Sequence, residues 1–155
     1  MRYRTRKQLN MWFKDNGFKG VTCYRNYDFE ARTCDNSIGI ADAIYWDETM
    51  YKSFNSLVQK LGLEYDTNVD TLVLLHELGH LQTDDEFSQL SEDIYAIIQK
   101  IFTLVLGLTK NKLYGVINYL YQRLPQERRA TEWAVQYVNE NQDALVSLEK
   151  ILATC

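Results

Sequence analysis

The feature that most constrains this 155-residue chain is the placement of its two histidines, which lie four residues apart in the segment His76-Glu77-Leu78-Gly79-His80. The apolar residues Leu72 and Leu75 precede them at helical spacing, which predicts an α-helix. Four residues of helix turn roughly 400° and rise roughly 6 Å, so both imidazoles lie on one face, one turn apart. The segment therefore predicts a rigid helix that presents two imidazoles together.

This helix also carries signals for its start and for a close neighbour. We expect Thr67 to cap the free backbone N–H groups, while Asp70 reaches back and complements the helix dipole. Gly79 costs about 1 kcal/mol relative to alanine inside a helix, so a packing reason is expected. We predict that another backbone approaches the helix at Gly79. The acidic run at 84–86 is interpreted as a solvated loop.

The remaining pattern predicts one domain of the α+β class, spanning residues 1–155. Only residues 20–44 have the texture of β-strands, with apolar residues separated by Asn, Asp and Gly clusters. Helical spacing predicts further helices, at 3–16, 49–63, 87–108, 112–123 and from Pro125 to near Ala153. No repeat or linker divides the chain. A small N-terminal sheet followed by a mostly helical body is therefore expected.

Composition restricts the class of function. A chain of this length buries close to 70% of its unfolded surface and needs no metal to hold a core, so a bound metal would be functional rather than structural. The net charge of -4 gives no electrostatic reason to expect a nucleic acid partner. The basic start, with Arg2, Arg4, Arg6 and Lys7, is interpreted as a solvated helix end.

Three observations predict a cytoplasmic location without membrane contact. The N-terminus lacks the apolar segment of a signal peptide. The longest apolar stretch, 94–108, is interrupted by Gln99 and Lys100 and falls short of the ~20 residues that cross a bilayer, so it is interpreted as a buried helix. The three cysteines form no C-x-x-C pair and are expected to be free thiols.

An H-E-x-x-H segment on a helix is typical of zinc peptidases, with His76 and His80 as ligands and Glu77 as the general base that acts on a zinc-bound water. Catalytic zinc takes three protein ligands. Because the chain has no third histidine, the third ligand must be another group, and a carboxylate is the natural substitute. The downstream candidates are Asp84, Asp85, Glu86, Glu92, Asp93, Glu127, Glu132, Glu140, Asp143 and Glu149.

The sequence context favours Glu127 among these carboxylates. Pro125 is tolerated in the first turn of a helix and marks its start or a kink, which places Glu127 on a stiff element. Ala130, one turn later, is small enough to let this helix approach the helix that carries the histidines. Glu92 is the alternative ligand. Both acids also suit the positive end of a helix dipole without any metal.

His76-Glu77-Leu78-Gly79-His80 together with Glu127-x-x-Ala130-Thr131-x-Trp133-Ala134 resembles the gluzincin-type metallopeptidases of the ImmA/IrrE kind, common in phages and mobile elements. The resemblance covers roughly residues 36–138, with its specific content in the two motifs. It implies a zincin-like fold, a zinc cofactor and Glu127 as the third ligand. It also implies a substrate-binding edge strand before the active-site helix, consistent with the strand-rich stretch 38–46.

Two departures from this family are visible. Position 131 is Thr rather than Asn or Asp, so the hydrogen bond to a ligand histidine would be made differently. The gap between His80 and Glu127 is long for the family and implies an inserted helical hairpin near 87–123. The donor that stabilises the oxyanion is left open among tyrosines or a backbone N–H; the tyrosines considered are Tyr114, Tyr119, Tyr121 and Tyr137.

The expected function is zinc-dependent hydrolysis of peptide bonds in a protein or peptide substrate. Family members that cleave a repressor imply a narrow protein target, such as a regulator. One alternative is a catalytically silent zincin-like interaction or effector protein, with the apolar stretch 94–108 as a partner surface. A second alternative, a DNA-associated regulator, rests on the basic N-terminus alone.

Overall fold

The computed structural model describes residues 3–26, 29–40, 48–83 and 123–153, together with the helical positions 97 and 100. These residues form a three-stranded sheet and a mostly helical body, which confirms the α+β class. The elements are α1 (Tyr3–Asp15), β1 (Thr22–Arg25), β2 (Glu30–Arg32), β3 (Ser37–Ile40), α2 (Glu48–Lys60), α3 (Val69–Thr83), α4 (Pro125–Glu140) and α5 (Gln142–Leu152), with a 3₁₀ turn at Thr33–Asp35.

The sheet has the strand order β1-β3-β2, with β3 parallel to β1 and antiparallel to β2. Ile38 lies opposite both Cys23 and Ala31, so one sheet face is apolar and packs on the helices. The sequence suggested an edge strand within 38–46, which is wrong for its first residues because β3 is the central strand. The edge strand that contacts α3 is β2.

Helices α1 and α2 end as their glycines predict. Gly17 and Gly62 have φ values of 91° and 85°, the left-handed region that suits glycine. In both cases the next residue donates its N–H back into the helix: Phe18 to the carbonyl of Phe13 at 2.8 Å, and Leu63 to that of Val58 at 3.1 Å. These are Schellman ends, which satisfy carbonyls that the last turn would leave free.

The N-terminus of α3 is capped differently from the prediction. The side chain of Asn68, not Thr67, accepts the N–H of Thr71 at 2.8 Å. The Thr67 hydroxyl instead donates to Glu149 on α5 at 2.6 Å, and the N–H of Asn68 donates to the same oxygen at 3.1 Å. Asp70 is exposed and makes no such return contact; partial burial raises the pKa of its carboxyl. Glu149, which is distant in sequence, thus contributes to the N-terminus of α3, for which only nearby residues were predicted.

The expected helix from Pro125 to near Ala153 is two helices. The break lies at Asn141, whose side chain donates to the carbonyl of Tyr137 at 3.0 Å, while its own carbonyl accepts the N–H groups of Ala144 and Leu145. Asparagine competes with the helix by such local hydrogen bonds, and periodicity alone did not show it. Pro125 is the first residue of α4, as the sequence indicated.

Helix α3 lies at the centre of the described core. Leu74, Leu75 and Leu78 are fully buried, and α3 contacts α4, α5, β2 and β3. An aromatic cluster joins α1 to α4, formed by Trp12, Phe13, Phe18, Trp133 and Tyr137. The packing holds the histidine-bearing helix between a sheet edge and the glutamate-bearing helix.

Several expectations fall on the remaining residues. The loop at 84–86 and most of the helices expected at 87–108 and 112–123 lie outside the described residues. Ile97 and Lys100 are helical, but Ile97 is 56% exposed, so it is not part of a buried helix face. In the described part of the chain, Cys23 and Cys34 form no disulfide, and no helix has the length and apolar character that crossing a membrane requires.

Candidate metal centre

The structure brings together the three residues that the sequence selected as metal ligands. His76 and His80 lie one turn apart on α3, with their Nε2 atoms 3.1 Å from each other. Glu127 projects from the first turn of α4 and places Oε2 3.1 Å from His76 Nε2 and Oε1 3.5 Å from His80 Nε2. One donor atom from each side chain therefore lies within 4.8 Å of the other two.

The close approach of α3 and α4 depends on Gly79. A Cβ atom built at Gly79 would lie 2.9 Å from Cα of Ala130 and would also overlap the carbonyl of that residue. Ala130 and Gly79 are both buried, so no larger side chain fits between the two helices. The predicted close backbone contact at Gly79 is thus confirmed. This close packing of α3 and α4 brings the Glu127 side chain within reach of both histidines.

The cluster lies at the rim of the core. The side chains of His76 and His80 are 13% and 18% exposed, and that of Glu127 is 7% exposed. The ring of Phe54 on α2 meets His76 edge-on, with 6.1 Å between ring centroids. The three side chains are therefore only partly exposed to solvent, and an apolar ring packs against His76.

Electrostatics keep Glu127 ionised. Burial alone would raise the pKa of its carboxyl, but the hydrogen bonds and positive charge of His76 and His80 outweigh burial and lower that pKa to about 2. Glu127 is therefore ionised beside the two histidines. The centre offers a fixed negative charge beside two nitrogen bases.

This donor set fits zinc. The two Nε2 atoms and the carboxylate oxygens of Glu127 lie 3.1–3.5 Å from one another, and each imidazole in its neutral form has one nitrogen lone pair that can bind a metal. A central cation would satisfy all three groups. Zinc bonded to nitrogen at about 2.0–2.1 Å in a tetrahedron separates neighbouring ligand atoms by roughly 3.3 Å, close to the distances among these residues. Two histidines and one glutamate form a familiar catalytic zinc ligand set.

Glu77, the expected general base, follows His76 directly in α3, and its side chain is partly buried. Its Oε2 accepts the backbone N–H of Ala31 in β2 at 2.7 Å. Because this N–H donates to Glu77, it points away from β3, and in an antiparallel pair the carbonyl of the same residue points to the same side. Sequence reasoning missed Ala31, because a backbone donor leaves no side-chain signal.

Two further candidates lie elsewhere. Glu132 is exposed and pairs with Arg128 at 2.7 Å. Tyr137 follows Glu127 by ten residues, roughly 15 Å along the helix, and its ring stacks on Trp133. Burial raises the pKa of its hydroxyl. Tyr137 is thus a packing residue that lies away from the cluster.

The structure does not bring the other described acids to the centre. Glu140 and Asp143 are exposed near the α4–α5 junction, and Glu149 contacts the start of α3. The remaining candidate ligands and oxyanion donors lie outside the described residues; they are Asp84, Asp85, Glu86, Glu92, Asp93, Tyr114, Tyr119 and Tyr121. Of the candidates that can be compared, Glu127 alone joins both histidines.

Comparisons with family models, curated proteins and solved structures found no match to this chain.

Proposed function

We propose that this protein is a zinc-dependent endopeptidase with a zincin-like fold, which hydrolyses peptide bonds of a specific protein substrate. The observation that carries the proposal is the convergence of His76, His80 and Glu127 from two helices, with Glu77 on the same helix as the two histidines. The resemblance of the two motifs to ImmA/IrrE-type gluzincins supports the same assignment. A chance pairing of two motifs would not be expected to bring the three proposed ligands together.

In this proposal each residue has a distinct role. His76, His80 and Glu127 hold the zinc, which supplies Lewis acidity that polarises a peptide carbonyl and activates water. Glu77 accepts a proton from the attacking water and passes it to the leaving amine. The N–H of Ala31 holds one oxygen of the Glu77 carboxylate, which leaves the other oxygen free for proton transfer.

The edge strand β2 supports a peptide substrate. Its outer edge presents the Ala31 carbonyl next to Glu77, and an exposed strand edge is a common binding surface for an extended peptide backbone. Among the described residues Cys23 and Cys34 form no disulfide, which is consistent with a reducing compartment, so we place the activity in the cytoplasm. A regulatory protein is the proposed class of substrate.

The decisive experiment compares the wild type with Glu77→Gln. Purified wild type should bind one zinc per chain, and Glu77→Gln should bind it equally well because Glu77 is not a ligand. Cells that express the wild type should show new protein termini, mapped by N-terminal proteomics, that cells expressing Glu77→Gln lack. Glu132→Gln is the matched control, since Glu132 is an exposed carboxylate away from the cluster and should behave as the wild type.

Two outcomes would contradict the proposal. A wild-type protein that binds no zinc would remove the metal centre and with it the catalytic assignment. Zinc binding accompanied by identical protein termini in wild-type and Glu77→Gln cells would support the alternative of a silent zincin-like interaction protein.

A further inference from the structure

The outer face of the small sheet carries a cluster of polar side chains close to the candidate centre. Glu30 and Arg32 flank Ala31 in β2, and both are exposed. Because successive residues of a strand alternate, their side chains lie on the sheet face opposite to that of Ala31. The N–H of Ala31 donates to Glu77 of the centre. The cluster therefore begins one residue along β2 from the contact with the proposed general base.

The absence of a side chain at Gly39 makes room for this cluster. Gly39 lies in the central strand β3, opposite Tyr24 on one side and Glu30 on the other. A Cβ atom built at Gly39 would lie 2.9 Å from the Tyr24 hydroxyl and 2.7 Å from the side-chain nitrogen of Asn26. The side chains of Tyr24 and Asn26 thus extend over the central strand towards Glu30.

The carboxylate of Glu30 is held by three donors. Its Oε2 accepts a hydrogen from the Asn26 amide at 2.7 Å and one from the Tyr24 hydroxyl at 3.4 Å. Its Oε1 accepts Nε–H of Arg32 at 3.4 Å. Burial and the charge of Glu30 raise the pKa of the Tyr24 hydroxyl, so this group stays protonated as a donor. The negative charge of Glu30 is therefore shared among three groups of its own chain.

The guanidinium of Arg32 is oriented by these neighbours and still has hydrogens to donate. Its central carbon lies 4.6 Å from the centroid of the Tyr24 ring, a cation–π contact. In the described part of the chain, Nε makes its only hydrogen bond, so both terminal nitrogens are left for another acceptor. The side chain is 47% exposed. A planar guanidinium in a fixed orientation suits a carboxylate, which it binds through two parallel hydrogen bonds.

We propose that Arg32 is a specificity residue that binds an acidic side chain, Asp or Glu, of an extended peptide docked along the outer edge of β2. This inference rests on the proposed function, because it concerns the substrate of the same site. Alternate residues of such a peptide face the same side of the sheet as Arg32, and the residue directly opposite Arg32 lies within contact distance. The net charge of -4 favours basic peptides in general, so a preference for acidic ones requires a local cation.

The first test selects peptides without cleaving them. A phage-displayed library of random decapeptides is passed over immobilised Glu77→Gln, whose amide oxygen can still accept the N–H of Ala31. The retained peptides should be enriched about 2–5-fold in Asp and Glu, the size expected for one pair of opposite charges on facing strands. Adding Arg32→Gln should abolish this enrichment, and adding Arg32→Glu should replace it by enrichment in Lys and Arg.

Arg25→Gln is the matched control, since Arg25 is an exposed arginine at the end of β1, the opposite edge strand. On the Glu77→Gln background it should leave the acidic enrichment unchanged. Because Arg25 and Arg32 are both exposed, the added substitutions should not change the circular dichroism spectrum. Retention of no peptide, absence of acidic enrichment, or equal enrichment with and without Arg32→Gln would overturn the inference.

The second test uses the protein termini that the wild type produces in cells. The cleaved segment should contain an Asp or Glu near the cleaved bond, and Arg32→Gln should release the same termini in amounts about 2–5-fold lower. Replacing that acidic substrate residue by Lys should restore cleavage by Arg32→Glu.

The two proposals fail in different ways. Termini that depend on Glu77 but are equally abundant with Arg32→Gln would leave the peptidase assignment standing and overturn the role of Arg32. Absence of Glu77-dependent termini, together with Arg32-dependent selection of acidic peptides, would contradict the proposed function and leave the peptide-docking surface standing.

Discussion

Two glutamates from the C-terminal helices reach α3, and their surroundings are opposite in kind. Glu149 on α5 accepts the Thr67 hydroxyl at 2.6 Å and the N–H of Asn68 at 3.1 Å through one oxygen. Glu127 on α4 instead faces the Nε2 atoms of His76 and His80 at 3.1 and 3.5 Å. The partners of Glu149, a hydroxyl and a backbone N–H, always have a hydrogen to donate. The partners of Glu127 are imidazole nitrogens, which have a hydrogen to donate only in some protonation states and tautomers.

The difference separates a structural carboxylate from one that we propose as a metal ligand. Glu149 has its hydrogen bonds supplied by the protein itself and lies at the positive end of the α3 dipole, so it stabilises the helix start. Glu127 and the two histidines instead form the group of side chains that could hold a cation. A glutamate-to-glutamine substitution is therefore expected to affect zinc affinity at Glu127 and only stability at Glu149.

The largest effect is expected for Glu127→Gln. Removing a ligand charge should weaken zinc binding more than about 100-fold, since loss of an outer contact alone costs 10–100-fold. At zinc concentrations 100 times the wild-type Kd, the wild type should gain about 2.7 kcal/mol of unfolding free energy, and the variant should gain little of it. Chemical denaturation with and without zinc measures this gain.

Without metal, Glu127→Gln should unfold at a lower denaturant concentration than the wild type at pH values above the ordinary pKa of a glutamate. Because His76 and His80 lower the pKa of the Glu127 carboxyl to about 2, its ionisation stabilises the folded state, and the uncharged amide loses that contribution. Unchanged zinc affinity in this variant would contradict the assignment of Glu127 as a ligand.

The local part of this architecture could be predicted from the sequence. Helical spacing and the glycines at 17 and 62 are short-range signals, and they predicted α1 to within one residue at each end and α2 to within three. The H-E-x-x-H spacing depends on helix geometry alone, and the glycine within it correctly indicated the contact with Ala130. Because the chain has only two histidines, a carboxylate was the natural candidate for the third ligand.

The rest depends on contacts between distant segments. The bond from Ala31 to Glu77 joins residues 46 positions apart through a backbone N–H, which no residue type announces. Glu149 was only one of ten candidate ligands, because its partners at the start of α3 are 82 and 81 positions away. The break at Asn141 was missed because apolar periodicity continues across it.

Gly79→Ala tests whether the centre depends on the distance between α3 and α4. The added Cβ would overlap backbone atoms of Ala130, and such overpacking should lower the unfolding free energy by about 1–3 kcal/mol despite the better helix propensity of alanine. Zinc affinity should fall as well, since Glu127 moves away from the histidines. The start of α3 should be unaffected.

The Cβ of the Gly79→Ala variant would overlap backbone atoms of Ala130 and not its side chain, so a double variant with Ala130→Gly is an informative control. Ala130→Gly removes only a side-chain methyl group, so the double variant should be no more stable than Gly79→Ala alone. Recovery of stability or zinc affinity in the double variant would show that side-chain crowding, and not the approach of the two backbones, sets the helix separation.

The smallest effect is expected for Glu149→Gln, the counterpart of Glu127→Gln. The amide oxygen can still accept from Thr67 and Asn68, but the charge that strengthens both hydrogen bonds and complements the α3 dipole is lost. The unfolding free energy should fall by about 1 kcal/mol, with zinc affinity unchanged. Glu132→Gln, at an exposed ion pair, should change stability by less. A loss of zinc affinity in Glu149→Gln would mean that the cap and the centre are coupled along α3, and that the two carboxylates do not act independently.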